Sequence, residues 1–198
     1  MLVMDYMDID LKEYLQQNRN QILLKTKIKI IFKIVKALCR IHEENLIHKN
    51  LHSGNVLHSK DKNDWYISDL GGCRDTNNPL KGIYGNLPYI APEVIFNKEY
   101  TFKSDIYAVA MLMWEVMSEQ PPFFDQKHDY DLALNIVDGI RPKIFPGTPS
   151  LFKELIEQCW DANPEKRLDI HTLWEKLEDI NTSLHENSYR LIVVILIL

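Results

Sequence analysis

The sequence predicts one mainly helical α+β domain with a small β element near its front. Three observations carry that reading. Apolar residues recur at Ile28, Ile31, Ile34, Val35, Leu38 and Ile41, the spacing of a helical stripe. A second, strongly apolar stretch runs from Ser104 to Met117. Val56-Leu57 and Trp65-Tyr66-Ile67-Ser68 are short β-compatible runs on either side of a polar turn, Lys60 to Asp64.

Taken in order, Met1 to Met7 is a β-compatible apolar run that acidic residues break at Asp8 and Asp10. Asp10 is placed to cap a short helix through Gln17. Thr26 is read as the cap of the long helix that follows, which ends near Asn45. Its cations Lys27, Lys29, Lys33, Lys36 and Arg40 fall mostly off the apolar stripe. The loop from Leu46 to Asn55 leads into the two β runs. From Gly71 to Pro92, Gly, Pro and Asn are frequent and periodicity is lost, which predicts a long ordered loop; loops of that length usually carry function or are disordered. Ser104 is read as the cap of the next helix, and Pro121-Pro122 as its stop. Shorter helices are predicted at about Tyr130 to Val137, Leu151 to Trp160 and Ile170 to Leu184.

Composition narrows the classes. The chain has 198 residues, enough for one domain with a real core. A net charge of −5 gives no footprint for nucleic acid or an anionic membrane. The three cysteines, Cys39, Cys73 and Cys159, are scattered and form no disulfide framework or Cys-x-x-Cys metal pattern, which predicts a reducing compartment. No basic leader with an apolar core opens the sequence, so the expectation is a cytoplasmic protein. Leu191 to Leu198 is apolar throughout but far short of the ~20 residues of a spanning helix. The expected division is therefore a domain over 1–184 and an apolar tail over 185–198.

The stretch that organises the chain is His48-Lys49-Asn50-Leu51-His52-Ser53-Gly54-Asn55, followed by Asp69-Leu70-Gly71. Phosphoryl transfer needs hard oxygen ligands for a metal ion and a group that orients the acceptor hydroxyl. Asp69, directly after a β run, offers a carboxylate, and Asn55 an amide oxygen. Each alone is an ordinary turn residue. With Ala91-Pro92-Glu93 at the right separation, the set resembles the catalytic centre of a eukaryotic protein kinase, whose loop reads H-R-D-L-x-x-x-N and whose metal site reads D-F-G.

The resemblance extends from Leu2 to about Leu177. It is closest to the large C-terminal lobe, with the hinge, of kinases in the tyrosine-kinase-like group, to which Gly139-Ile140-Arg141-Pro142 and Gln158-Cys159-Trp160 are similar. It implies ATP and Mg²⁺ as cofactors, with Asn55 and Asp69 as metal ligands. Met4 would be the gatekeeper, the backbone of Asp5 and Met7 would bond the adenine edge, and Leu57 would form the floor beneath it. Glu93 would pair with Arg167 to hold the activation segment. Asp105 matches the acid that receives backbone N–H groups of the catalytic loop; read alone, it is a first-turn helix acid favoured by the dipole. Protein substrates or partner kinases are the implied partners.

Five positions depart from the pattern, the mildest being Leu70 in place of Phe. Asn50 stands where the family carries the proton-accepting Asp, and an amide oxygen is not basic near neutral pH. Lys49 replaces an Arg, keeping charge but losing bidentate geometry. His52 stands where serine/threonine kinases commonly carry Lys, and Asn86 where they carry Thr. The 198 residues begin at the hinge and contain no G-x-G-x-x-G, so the small N-terminal lobe is expected to be absent. Negligible phosphotransfer is the expectation for this chain, with Ser/Thr against Tyr preference open and Thr76 and Tyr84 as candidate phosphosites. A pseudokinase scaffold and a piece of a longer kinase remain as alternatives.

Overall fold

The computed structural model describes residues 7–69, 86–96 and 99–197, with side chains described as far as residue 183. Met4, Asp5, Leu70, Gly71, Thr76, Tyr84 and most of the strand predicted at Met1 to Met7 lie outside the described residues.

Three short strands form one antiparallel sheet: β1 (Ile9–Asp10), β2 (Val56–Ser59) and β3 (Asp64–Ile67), in that spatial order. Asp10 faces Leu57, and Leu57 in turn faces Tyr66. Asp10 also ends β1 and caps the next helix, α1 (Leu11–Gln17), accepting the Glu13 N–H at 2.8 Å. Tyr14 of α1 stands edge-on to Trp65 of β3, which seats the helix on the sheet.

The long amphipathic helix, α2, spans Leu24–Glu43. It begins earlier than the apolar stripe suggests, so Thr26 lies inside the first turn, its N–H bonded to the Leu23 carbonyl, and is not the cap. The reason is tertiary. Lys27 ion-pairs with Glu119 at 2.6 Å and donates to the Met117 carbonyl, so partners distant in sequence fix this end of the helix.

After the four-residue helix α3 (Pro92–Ile95) comes α4 (Phe102–Ser118), the centre of the molecule. Every residue from Ser104 to Ser118 is buried, which is why α4 reads as apolar all round. Its N-cap is Thr101. Ser104 is the third helical residue, and its hydroxyl accepts the Thr101 N–H at 3.0 Å, the reach-back half of a capping box. The predicted cap was therefore three residues late. Helix α4 packs against α2 on one side and α6 (Ser150–Cys159) on another, while α5 (Tyr130–Val137) starts at an Asp129 cap.

The last helix, α7 (Ile170–Ile197), lies along α2 and is longer than its sequence pattern predicts, since residues 185–197 continue it. Among the described residues, no helix is long and apolar enough to cross a membrane.

Candidate functional site

The loop between α2 and β2 is held from beneath by α4. The Asp105 carboxylate accepts the backbone N–H of His48 at 2.8 Å through one oxygen and that of Lys49 at 3.0 Å through the other. His42, near the end of α2, meets the same carboxylate at 3.0 Å. Asp105 is 2% exposed, and three donors make its burial tolerable. Lys49 adopts φ 68°, a left-handed conformation that a side chain other than Gly enters at some cost, and the bond from its N–H to Asp105 helps hold it there.

His48 is buried and points the other way. Its Nε2 lies 2.8 Å from the Ser68 carbonyl, and its Nδ1 accepts the Asn50 N–H at 3.3 Å. The imidazole thus spans from the loop to the residue just before Asp69. Asp69 also has a positive φ, 62°, a region that Asp visits with less penalty than most residues.

These contacts bring the side chains of Asn50, Asn55 and Asn86, all half-buried, around the exposed Asp69. Asn50 donates from Nδ2 to Asp69 Oδ2 at 2.8 Å. Asn55 donates from Nδ2 to the Asn50 carbonyl at 2.8 Å and lies 3.4 Å from the same Asp69 oxygen. Asn86 approaches Asn50 Oδ1 at 3.5 Å. With the Asn55 Nδ2 turned inward, its Oδ1 is the atom left for a ligand. One exposed carboxylate beside one amide oxygen is a hard-oxygen donor set that fits a Mg²⁺-sized cation keeping several waters. Leu57 sits on the central strand and is only partly covered, while Met7 lies just before β1.

A second anchor fixes the segment that returns from this point to α4. Glu93, in the first turn of α3, and Arg167 form a two-pronged pair, with both N–H···O distances 2.7 Å. Arg167 also donates to the carbonyls of Asp161 and Lys103, each at 2.8 Å. Its guanidinium stacks on Tyr107, whose other neighbour is Arg141. Burial pushes the Tyr107 hydroxyl up to about 12 although both cations oppose it.

A model of the family described as "Protein tyrosine and serine/threonine kinase" matches residues 1–177. The chain belongs to the protein kinase family. This kinase domain is 32% identical over 196 residues to a probable serine/threonine-protein kinase, roco8, of Dictyostelium discoideum, covering 92% of the chain and 10% of the relative. It is 30% identical over 177 residues to the dual specificity protein kinase zakA of the same organism, covering 82% of the chain and 23% of the relative. The human receptor-interacting serine/threonine-protein kinase 1 is 29% identical over 210 residues, covering 94% of the chain and 31% of the relative. The domain thus spans less than a third of the length of each.

Several residues of the site escape sequence reasoning. His42 shares Asp105 with the loop, yet nothing in its spacing marks it. Glu115 is wholly buried, accepts the Tyr89 hydroxyl at 2.7 Å, and stands at the base of a cleft lined also by His52, Ser53 and Phe124. Burial pushes its carboxyl up to about 7, although the Tyr89 and Ser53 hydroxyls and Lys12 pull the other way. The bond from Asn50 to Asp69 is likewise invisible in the sequence, because it depends on both turns having left-handed residues.

Proposed function

We propose that this kinase domain carries the metal-binding and substrate-facing half of an ATP-dependent phosphoryl-transfer site for protein hydroxyls, and that its own transfer activity is negligible. Asp69 and Asn55 would hold Mg²⁺, which when bound neutralises phosphate charge. Backbone groups of Asp5 and Met7 would take the adenine edge above Leu57. Asn50 can orient an acceptor hydroxyl through its amide, but it has no basic oxygen to take the proton. General-base help is worth roughly 10²–10⁴-fold in such reactions. Positioning carries most of the rate in phosphoryl transfer, so the loss lowers the rate without removing it.

The observation that carries this reading is the 2.8 Å bond from Asn50 Nδ2 to Asp69 Oδ2. It places an amide donor, not a second carboxylate, against the proposed metal ligand. Two of the relatives above are named serine/threonine-protein kinases, which favours Ser or Thr as acceptor, and zakA is named a dual specificity kinase. The test is phosphotransfer from labelled ATP with the domain joined to a kinase small lobe, wild type against Asn50→Asp. A gain of at least tenfold is expected, and no gain would refute the role given to Asn50. For the 198-residue chain alone, titration with Mg–ATP is expected to leave Tm unmoved. A rise in Tm that Asp69→Ala abolishes would overturn that expectation and show nucleotide binding through Asp69.

A further inference from the structure

Away from the catalytic loop, the seam between α2 and α7 brings together three side chains that bind transition metals. Cys39 and Glu43 lie four residues apart in the last two turns of α2, on one helix face. His171 is the second residue of α7. Their ligand atoms all lie within 4.8 Å of one another. Cys39 Sγ is 3.5 Å from His171 Nδ1 and 3.6 Å from Glu43 Oε1.

Those separations can be set against coordination geometry. Tetrahedral Zn²⁺ with bonds of about 2.3 Å to sulfur and about 2.1 Å to nitrogen or oxygen holds such ligand pairs about 3.6 Å apart. Both sulfur distances agree with that figure. The donor types agree as well: one thiolate, one imidazole and one carboxylate suit Zn²⁺ far better than Mg²⁺ or Ca²⁺. Cys39 is buried while Glu43 and His171 are exposed, so a cation has a route in from solvent and an apolar wall behind it.

We propose that Cys39, Glu43 and His171 form a three-ligand Zn²⁺ site, with water in the fourth position, that clasps the start of α7 to the end of α2. As the Zn–S bond forms, the thiol proton leaves to solvent. Burial and the neighbouring Glu43 charge hold the Cys39 thiol above its ordinary value, so the cation has to displace a bound proton. The clasp bears on the loop indirectly. His42, in the same turn of α2, is the side chain that meets Asp105 under the catalytic loop.

The experiment uses the 198-residue chain, stripped with a chelator and titrated with Co²⁺ and then Zn²⁺. Expected are a thiolate-to-cobalt charge-transfer band that saturates at one equivalent, its loss on adding Zn²⁺, and a Tm raised by roughly 5–10 °C at a hundredfold excess of Zn²⁺ over Kd. Cys39→Ser should abolish the band, His171→Ala should weaken binding at least tenfold, and Cys73→Ser should leave both readouts unchanged. His171 is exposed, so its variant reports on the site even if Cys39→Ser folds poorly. A chain with no band and no Tm shift would overturn the proposal. So would a band that survives both Cys39→Ser and His171→Ala, since the thiol and imidazole would then share only a hydrogen bond.

Discussion

Replacing Arg167 with Met keeps most of the aliphatic stem and removes the guanidinium. The structure fixes what that removes: two charge-assisted bonds of 2.7 Å to Glu93 and single bonds to the Asp161 and Lys103 carbonyls. Glu93 is only 8% exposed, so its carboxylate would be stranded without a partner. Removing one member of a buried pair costs about 3–5 kcal/mol, and a domain has about 5–15 kcal/mol in all. Arg167→Met should therefore lose about 4 kcal/mol in urea unfolding at 25 °C, or about 8–16 °C in Tm for a domain of this size. The double variant Glu93→Met with Arg167→Met should be more stable than Arg167→Met alone, because no charge is left behind. A loss below about 1 kcal/mol in the single variant would refute the reasoning, as would a double variant at least as unstable as the sum of the two singles.

Asp105→Asn offers an amide NH₂ to three groups that are themselves donors. At least one of the His48 and Lys49 N–H groups then loses its acceptor, and about 2–3 kcal/mol of stability with it. Hydrogen exchange at those two amides should speed up more than elsewhere in the loop, and unchanged protection would count against Asp105 as the anchor. Glu115 supplies a pH dependence of known sign. Its folded value of about 7 lies above the ordinary 4.5, so the folded state favours the protonated form. Stability from this group is present below pH ~4.5 and is lost as pH rises through about 7, by up to about 3 kcal/mol. In Glu115→Gln that fall should vanish from a Tm-against-pH series, and an identical slope in wild type and variant would contradict it.

The helices were legible in sequence wherever one face meets solvent. The stripe of α2 and the Asp10 cap of α1 are local patterns, and the structure reproduces them. Helix ends were less legible, for physical reasons that differ from case to case. The start of α2 depends on Lys27 reaching Glu119 and Met117, ninety and more residues away. The start of α4 was placed at Ser104, whereas the cap is Thr101, with Ser104 reaching back to it as in a capping box. At the site, spacing picked out His48, Asn50, Asn55 and Asp69. It could not show that Asn50 donates to Asp69, nor that His42 joins Asp105. The Asn50–Asp69 bond joins two turns with φ near +60° at Lys49 and Asp69, and at Lys49 no residue propensity would have suggested it.

The site combines buried residues that hold its backbone with half-buried amides around one exposed carboxylate, and this arrangement accommodates Asn50. Asp105 and Arg167 are each 2% exposed, with three and four polar contacts respectively, so a change in either destabilises the fold. Asp69 is exposed, and the half-buried Asn50 donates to it. An aspartate in place of Asn50 would set two carboxylates about 2.8 Å apart, a repulsion of order 1.5 kcal/mol even in water. The amide turns that repulsion into a hydrogen bond. Asn50 therefore favours the observed contact with Asp69, whereas an acid there would move away from Asp69 or share a cation with it. Shape and the proposed chemistry thus rest on different residues: Asp105 and Arg167 hold the backbone, while Asp69 and Asn50 meet where the carboxylate reaches solvent.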